Sequence, residues 1–286
     1  MRSALGIIHY TTLEAIRKGT LITYFIIGLI LIIIVAFGIN LSPDDGTTMV
    51  LFGEKIEAKE IQGLDVASFW LLQLYNSSAW AIMLFGLFGT AGLIPSFVNK
   101  GTAELFLSKP LTRPNIFIAR ITGAIGSITM NVLFFTVGIW LVFGIKLGVW
   151  NAGFLASALL TSYIFACFFS IAVISGIITQ STGVAILMGF MFSIFAGALE
   201  TREFFLYKIW DNSIYHTTLD ILYYCTPQLK AMENSAGTLI GVMKLPDIPQ
   251  FANRPQEFTI LPFLYSTLSA GALYVLAILY YRRKDY

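Results

Sequence analysis

The sequence predicts an all-α integral membrane protein that crosses the bilayer six times, with both termini in the cytoplasm. Of its 286 residues, 57% are hydrophobic and 12% are charged, whereas a soluble domain carries roughly 25% charged residues. The apolar residues form blocks of roughly 20, the length at which a helix crosses a hydrocarbon core. The net charge of +2 gives no argument for nucleic-acid binding.

The six predicted spans form one transmembrane domain, without a separate soluble domain. The first apolar block is too long for the core of a signal peptide, so it is predicted to be a retained span. Before it, residues 1–18 are predicted to form an amphipathic helix on the cytoplasmic surface, with apolar residues on one face. The spans are residues 21–39, 77–98, 116–143, 152–178, 183–199 and 258–281, and the apolar residues of the leader are Leu5, Ile8, Leu13 and Ile16.

The distribution of Lys and Arg predicts the orientation. Cytoplasmic loops carry an excess of these residues, and one set of connections has ten of them against three acidic residues. The other set is mainly acidic and is predicted to be external. The ten basic residues are Arg2, Arg17, Lys18, Lys100, Lys109, Arg113, Arg120, Arg282, Arg283 and Lys284.

Two external segments are long. The first, residues 40–76, contains the turn signal Pro43-Asp44-Asp45-Gly46, and its end is predicted to extend the second helix outward from Val66. The second, residues 200–257, is rich in aromatic residues, which favour the membrane interface. Short interfacial or re-entrant helices are predicted there.

The chain lacks the residues that intramembrane chemistry requires. The deep parts of the spans contain no ionisable residue, since Arg120 is expected near the cytoplasmic interface, and this disfavours an ion-coupled carrier. His9 and His216 are expected on opposite sides of the membrane, and Cys167 and Cys225 have no metal-binding spacing. No catalytic residue, metal site or bound cofactor is predicted, and no phosphate-binding loop is present.

Small residues recur within two of the spans. Such residues allow helices to approach closely in lipid. Their spacing is compatible with packing inside one subunit, with a subunit interface, or with a substrate path between subunits. They are Gly86, Gly89 and Gly92 in the second span, and Gly189, Ser193 and Gly197 in the fifth.

The connection between the second and third spans, residues 99–115, has the most specific local pattern. Residues 102–108 are good helix formers between Gly101 and Pro110, so a short surface helix is predicted. Thr112 is placed to cap the third span, with Pro114 in its first turn.

This pattern resembles that of permease subunits of type-two ABC transporters. The similarity lies in a Gly-Thr pair, a leucine-containing turn, Ser-x-Pro, a Thr-Arg pair and a following basic residue. The leader is also similar, with Glu14 and Arg17 in the family's Glu-Ala-x-Arg pattern. The matching residues are Gly101-Thr102, Leu105 to Leu107, Ser108-Lys109-Pro110, Thr112-Arg113 and Arg120. Members often have an acidic residue shortly before Gly-Thr, and residues 96–100 have none.

The resemblance implies a permease in a prokaryotic cell membrane, with two copies per complex. Export is the expected direction, and ATP would bind to a separate cytoplasmic ATPase, so the chain itself would not be an enzyme. The alternatives are a non-transporting scaffold or accessory subunit, or an intramembrane enzyme. The residues implied to dock the ATPase are Gly101, Thr102, Glu104, Phe106, Ser108, Lys109, Pro110 and Arg113, beside Glu14 and Arg17 of the leader helix.

Overall fold

The computed structural model describes residues 2–17, 19–41, 49–51, 54–56, 66–93, 95, 112–240 and 258–283. These parts of the chain are predominantly helical. A 3-10 turn, Ala91–Leu93, continues the third helix, and a π-helical turn, Arg202–Leu206, follows the sixth. The helices are α1 (Arg2–Arg17), α2 (Thr20–Gly38), α3 (Val66–Thr90), α4 (Arg113–Leu147), α5 (Ala152–Thr179), α6 (Thr182–Glu200), α7 (Ser213–Cys225), α8 (Leu229–Thr238) and α9 (Leu261–Arg283).

The prediction of six helices long and apolar enough to cross a bilayer is confirmed, and the chain has the architecture of a multi-pass membrane protein. The candidate spans lie in α2, in α3 with its 3-10 turn, and in α4, α5, α6 and α9. Five of these helices begin and end within about one helical turn of the predicted bounds.

The second span differs most from its predicted range of 77–98. Its helix begins at Val66, as the extension predicted from the sequence requires, and the described helix ends with the 3-10 turn at Leu93. The start of the helix is not visible in the hydropathy pattern, because polar residues before Ser77 interrupt the apolar sequence. The added turns are stabilised by burial, because Leu71, Leu72 and Tyr75 are almost completely inaccessible.

Three short strands lie between α2 and α3 and were not predicted. They are β1 (Ile39–Leu41), β2 (Met49–Leu51) and β3 (Glu54–Ile56), and they form an antiparallel sheet in the order β1-β2-β3. Ile39 pairs with Leu51, and Met49 pairs with Ile56. The strands are too short for a clear alternating pattern in the sequence.

Local signals explain several helix ends. Gly148 ends α4 with a positive φ of 71°, which glycine adopts without strain, and its N–H donates to the Gly144 carbonyl. Asn151 then caps α5 by accepting the Phe154 N–H at 3.0 Å. Thr112 lies at the N-cap of α4 with Pro114 in the first turn, but its side chain makes no capping hydrogen bond.

Helix α5 lies at the centre of the bundle. In its apolar stretch 67% of the residues are buried, against 17% in that of α2. The side chains of Phe165, Phe168 and Phe169 are completely inaccessible. Helix α2 is therefore peripheral, and its exposed isoleucines and leucines are suited to contact with acyl chains.

Candidate functional site

A buried arginine joins three parts of the chain at one end of the bundle. Arg120 of α4 is completely inaccessible. Its Nη2 lies 2.5 Å from Glu14 Oε2 of α1, and its Nε donates to the Leu93 carbonyl at the end of α3, at 3.2 Å. The ring of Tyr10 lies 5.9 Å from its guanidinium carbon. We call Arg120, Glu14 and Leu93 the Arg120 junction.

Close backbone approach allows α1 to reach this junction. A Cβ added to Gly123 of α4 would lie 2.8 Å from Thr11 Cβ and 3.2 Å from the Ile8 carbonyl, so the two helices are in direct contact. The buried face of α1 consists of Ile7, Thr11 and Ala15. Of the predicted apolar face, Ile8 packs against the core, whereas Ile16 is exposed.

The end of α9 lies beside the start of α4. Phe117 stacks on Tyr281 with ring centroids 5.4 Å apart, and both side chains are inaccessible. The ends of α1, α3, α4 and α9 therefore meet at one end of the bundle. Four arginines are found at these helix ends: Arg17, Arg113, Arg282 and Arg283.

The described residues on both sides of the predicted coupling loop lie at the same end of the bundle as the Arg120 junction. The chain leaves the described region after α3, at Leu93 and Pro95, and returns at Thr112. Arg113 is the first residue of α4, and Arg17 is exposed in the last turn of α1. The other predicted docking residues, Gly101, Thr102, Glu104, Phe106, Ser108, Lys109 and Pro110, lie outside the described residues.

The predicted small residues occupy different environments. An added Cβ would lie 2.6 Å from the Phe165 ring at Gly86, 2.5 Å from the Tyr24 ring at Gly89, and 2.7 Å from Leu87 at Gly189. These three glycines therefore pack within the chain. A Cβ on Gly92 would make an ordinary contact with Thr182, one on Gly197 would meet nothing within 4 Å, and the Ser193 hydroxyl donates to the Phe190 carbonyl.

A second polar cluster lies at the opposite end of the bundle, around Arg202. The Arg202 Nε lies 2.8 Å from Asp220 Oδ1 of α7, and its guanidinium carbon lies 3.8 Å from the centroid of the Tyr223 ring. Tyr207 donates to the same Asp220 oxygen at 2.7 Å, and Tyr223 donates to Glu200 Oε2 at 2.8 Å. We call this cluster the Arg202 network; it attaches α7 to the end of α6.

The Arg202 network sets the ionisation of its members. The hydrogen bonds from Arg202 and Tyr207 hold the pKa of Asp220 below its ordinary value. Burial, together with the adjacent Glu200 carboxylate, raises the pKa of Tyr223, so its hydroxyl stays protonated and remains a donor. Asp220 is therefore an anion and Tyr223 is neutral at neutral pH.

We expect Asp220→Asn to lower stability at neutral pH and to make less difference in acid. A carboxylate whose pKa is lowered by folding stabilises the protein above its unfolded pKa, and this contribution is lost as the pH falls through the folded pKa. Melting temperatures of both proteins between about pH 7 and pH 3 test this. Asp211→Asn, at an exposed carboxylate just before α7, is the control. A constant difference between Asp220→Asn and the parent would contradict the prediction.

Helix α8 is buried between the spans. The Gln228 N–H donates to Ser266 of α9, the Ser235 and Thr259 hydroxyls lie 2.8 Å apart, and the Asn151 amide donates to the Ile240 carbonyl at 2.8 Å. Glu233 is 4% exposed, with Oε2 bonded to Lys230 Nζ at 2.9 Å.

Sequence patterns did not identify this buried carboxylate. Its helix has the composition of a soluble surface helix, and it lies in the external segment for which only short interfacial or re-entrant helices were predicted. The Arg202 network was missed as well, although Arg202 and Glu200 are close to the end of an apolar block.

Comparison of the sequence with protein-family models and with curated proteins finds no match to either. The function is therefore inferred from the six apolar helices, the sequence between α3 and α4, and the polar groups at the two ends of the bundle.

Proposed function

We propose that this chain is the membrane-spanning permease subunit of an ATP-driven transporter, and that a separate cytoplasmic ATPase binds to residues 99–115. The observation that carries the proposal is the Arg120 junction. It holds α1 and the helices on both sides of these residues together through one buried guanidinium.

Such a junction suits the transmission of force. A short segment pushed by a partner moves the spans only if its two ends are attached rigidly to them. The hydrogen bond from Arg120 to Leu93 links the end of α3 to α4, and the ion pair with Glu14 adds α1. A movement of the segment would therefore displace α1, α3 and α4 together.

In this proposal the Arg120 junction is at the cytoplasmic end of the bundle. The arginines at this end, Arg17, Arg113, Arg282 and Arg283, agree with the excess of positive charge found on cytoplasmic loops. The Arg202 network and the sheet would then be external, and α7 and α8 would form a re-entrant hairpin beside the substrate path. Two copies in a prokaryotic cell membrane would form the path, with ATP bound only to the partner.

The experiment combines Arg113→Glu with Phe106→Ala and measures MgATP hydrolysis that co-purifies with the tagged chain from membranes of its own host. Reversed charge and a lost aromatic anchor are expected to reduce this activity to background, because aromatic and arginine side chains often dominate an interface. Lys208→Glu with Phe195→Ala is the control, since it also reverses one exposed positive charge and removes one exposed aromatic ring, but away from the end of the bundle proposed to dock the ATPase. Equal ATPase recovery from both double variants would contradict the proposed docking segment.

A further inference from the structure

A cavity of about 100 Å³ lies between α2, α3 and α4. Its walls are almost entirely apolar and include Gly28 of α2, Ala81 and Phe85 of α3, and Phe135 of α4. Gly28 leaves room on the α2 side, because a Cβ added there would approach Phe134 and Phe135 no closer than 3.8 Å.

The cavity opens toward the outer surface of the bundle. Leu31 and Phe85 line it, and they are 44% and 45% exposed. Both belong to helices that are long and apolar enough to cross the bilayer, so molecules dissolved among the acyl chains reach the opening directly. Entry therefore requires no passage through water.

One polar side chain in the wall has an unused hydrogen-bonding atom. The Asn131 amide nitrogen donates to the Ser127 carbonyl at 3.2 Å. Because that carbonyl is only an acceptor, the contact fixes which amide atom is nitrogen. Asn131 Oδ1 is buried and accepts no hydrogen bond from any residue in the described part of the chain.

This acceptor lies deep in the span. Asn131 is about 16 Å along α4 from Arg120, a distance close to half of a hydrocarbon core. An acceptor without a hydrogen bond at that depth raises the free energy of the folded protein, since the bilayer core has no water to donate one. Another polar residue of the same wall, Ser78, donates its hydroxyl hydrogen to the Tyr75 carbonyl at 3.1 Å.

We propose that this cavity binds, from the bilayer, the apolar part of a single-chain molecule that donates one hydroxyl or amide hydrogen to Asn131. The volume suits a segment of an alkyl chain, because it is smaller than the apolar cavities of about 150 Å³ that bind benzene. The binding site goes beyond the proposed transport function and does not require it, since the chain alone would bind the molecule.

The test uses the full chain in phosphatidylcholine vesicles with a long-chain alcohol that carries a photoreactive diazirine, and a matched probe in which the hydroxyl is a methyl ether. After irradiation, mass spectrometry locates the label. We expect the alcohol to label the cavity residues of α2, α3 and α4 about tenfold more than the ether does, the ratio that one hydrogen bond to a buried acceptor supplies. Asn131→Leu should abolish this preference.

Two filling variants keep the test independent of any single substitution. Gly28→Leu and Ala81→Leu should each remove labelling from the cavity, whereas Gly197→Leu, at an exposed glycine with nothing within 4 Å, should leave it intact. Labelling spread evenly over the exposed faces of all spans, or unchanged by both filling variants, would overturn the cavity as a binding site. Equal labelling by alcohol and ether would overturn the donor requirement. ATPase co-purification is measured separately, so either proposal can fail alone.

Discussion

Replacement of Glu14 by alanine is expected to lower the apparent melting temperature of the purified protein by on the order of 10 °C. The substitution removes the carboxylate that lies 2.5 Å from Arg120 Nη2. Arg120 is completely inaccessible, and breaking a buried ion pair by removing one partner costs about 3–5 kcal/mol. Tryptophan fluorescence during heating in detergent measures the change.

Three further variants separate the ion pair from general damage to α1. Arg17→Ala removes an exposed charge from the same helix and should change stability by less than about 0.5 kcal/mol. Arg120→Lys should also destabilise, because an ammonium cannot reproduce the planar arrangement of donors that serves Glu14 and Leu93. The double variant Glu14→Leu with Arg120→Met should be more stable than Glu14→Ala. Equal melting temperatures for Glu14→Ala and Arg17→Ala would refute the structural role of the ion pair.

The spans could be predicted from the sequence because the transfer of each apolar side chain into lipid is favourable independently of its neighbours. The start of α3 was also predicted, at Val66 and outside the apolar block, and Leu72 and Tyr75 stabilise it by packing against α8, near Gly237. The same reasoning failed for the three short strands. The small sheet depends on pairing between short strands that have no strong pattern of their own.

The candidate sites were less predictable than the spans. Arg120 and Glu14 were both identified through the resemblance, but their contact was not, because it joins residues far apart in the chain and depends on the close approach at Gly123. Helix α8 lies in the segment for which short interfacial or re-entrant helices were predicted, but its bounds and its burial were not. Its burial is stabilised by hydrogen bonds to Ser266 and Thr259, which no hydropathy pattern can predict.

The Arg120 junction and helix α8 are attached to the bundle in different ways. At the Arg120 junction a charge is buried among helix ends, so separating them exposes an unpaired ion. Helix α8 is attached through neutral hydroxyl, amide and backbone hydrogen bonds, each of net value about 1 kcal/mol. Moving α8 therefore costs less than opening the Arg120 junction, provided that the close contacts of α8 with α5 are released.

One of these contacts predicts the second large effect. Gly153 lies in the first turn of α5, and a Cβ added to it would overlap the carbonyl group of Leu239, at the C-cap of α8. The obstructing atoms belong to the backbone, so no side-chain rotation relieves the overlap. The adjacent Ile240 carbonyl is also held by Asn151.

Gly153→Ala is therefore expected to displace the end of α8 and to destabilise the protein by about 3 kcal/mol, the upper part of the range for an overpacked site. Hydrogen exchange measured on peptides from residues 229–240 should become faster, whereas peptides from α1 and the start of α4 should be unchanged. Melting temperature gives an independent measure of the same effect.

The matched control is Gly197→Ala, which makes the same substitution inside a helix where a new Cβ meets nothing within 4 Å. There the methyl group restricts only the unfolded chain and should stabilise the protein by up to about 1 kcal/mol. The two variants should thus shift the melting temperature in opposite directions. Shifts of the same sign and size would show that α8 does not pack against the start of α5, and the re-entrant hairpin proposed beside the substrate path would lose its main anchoring contact.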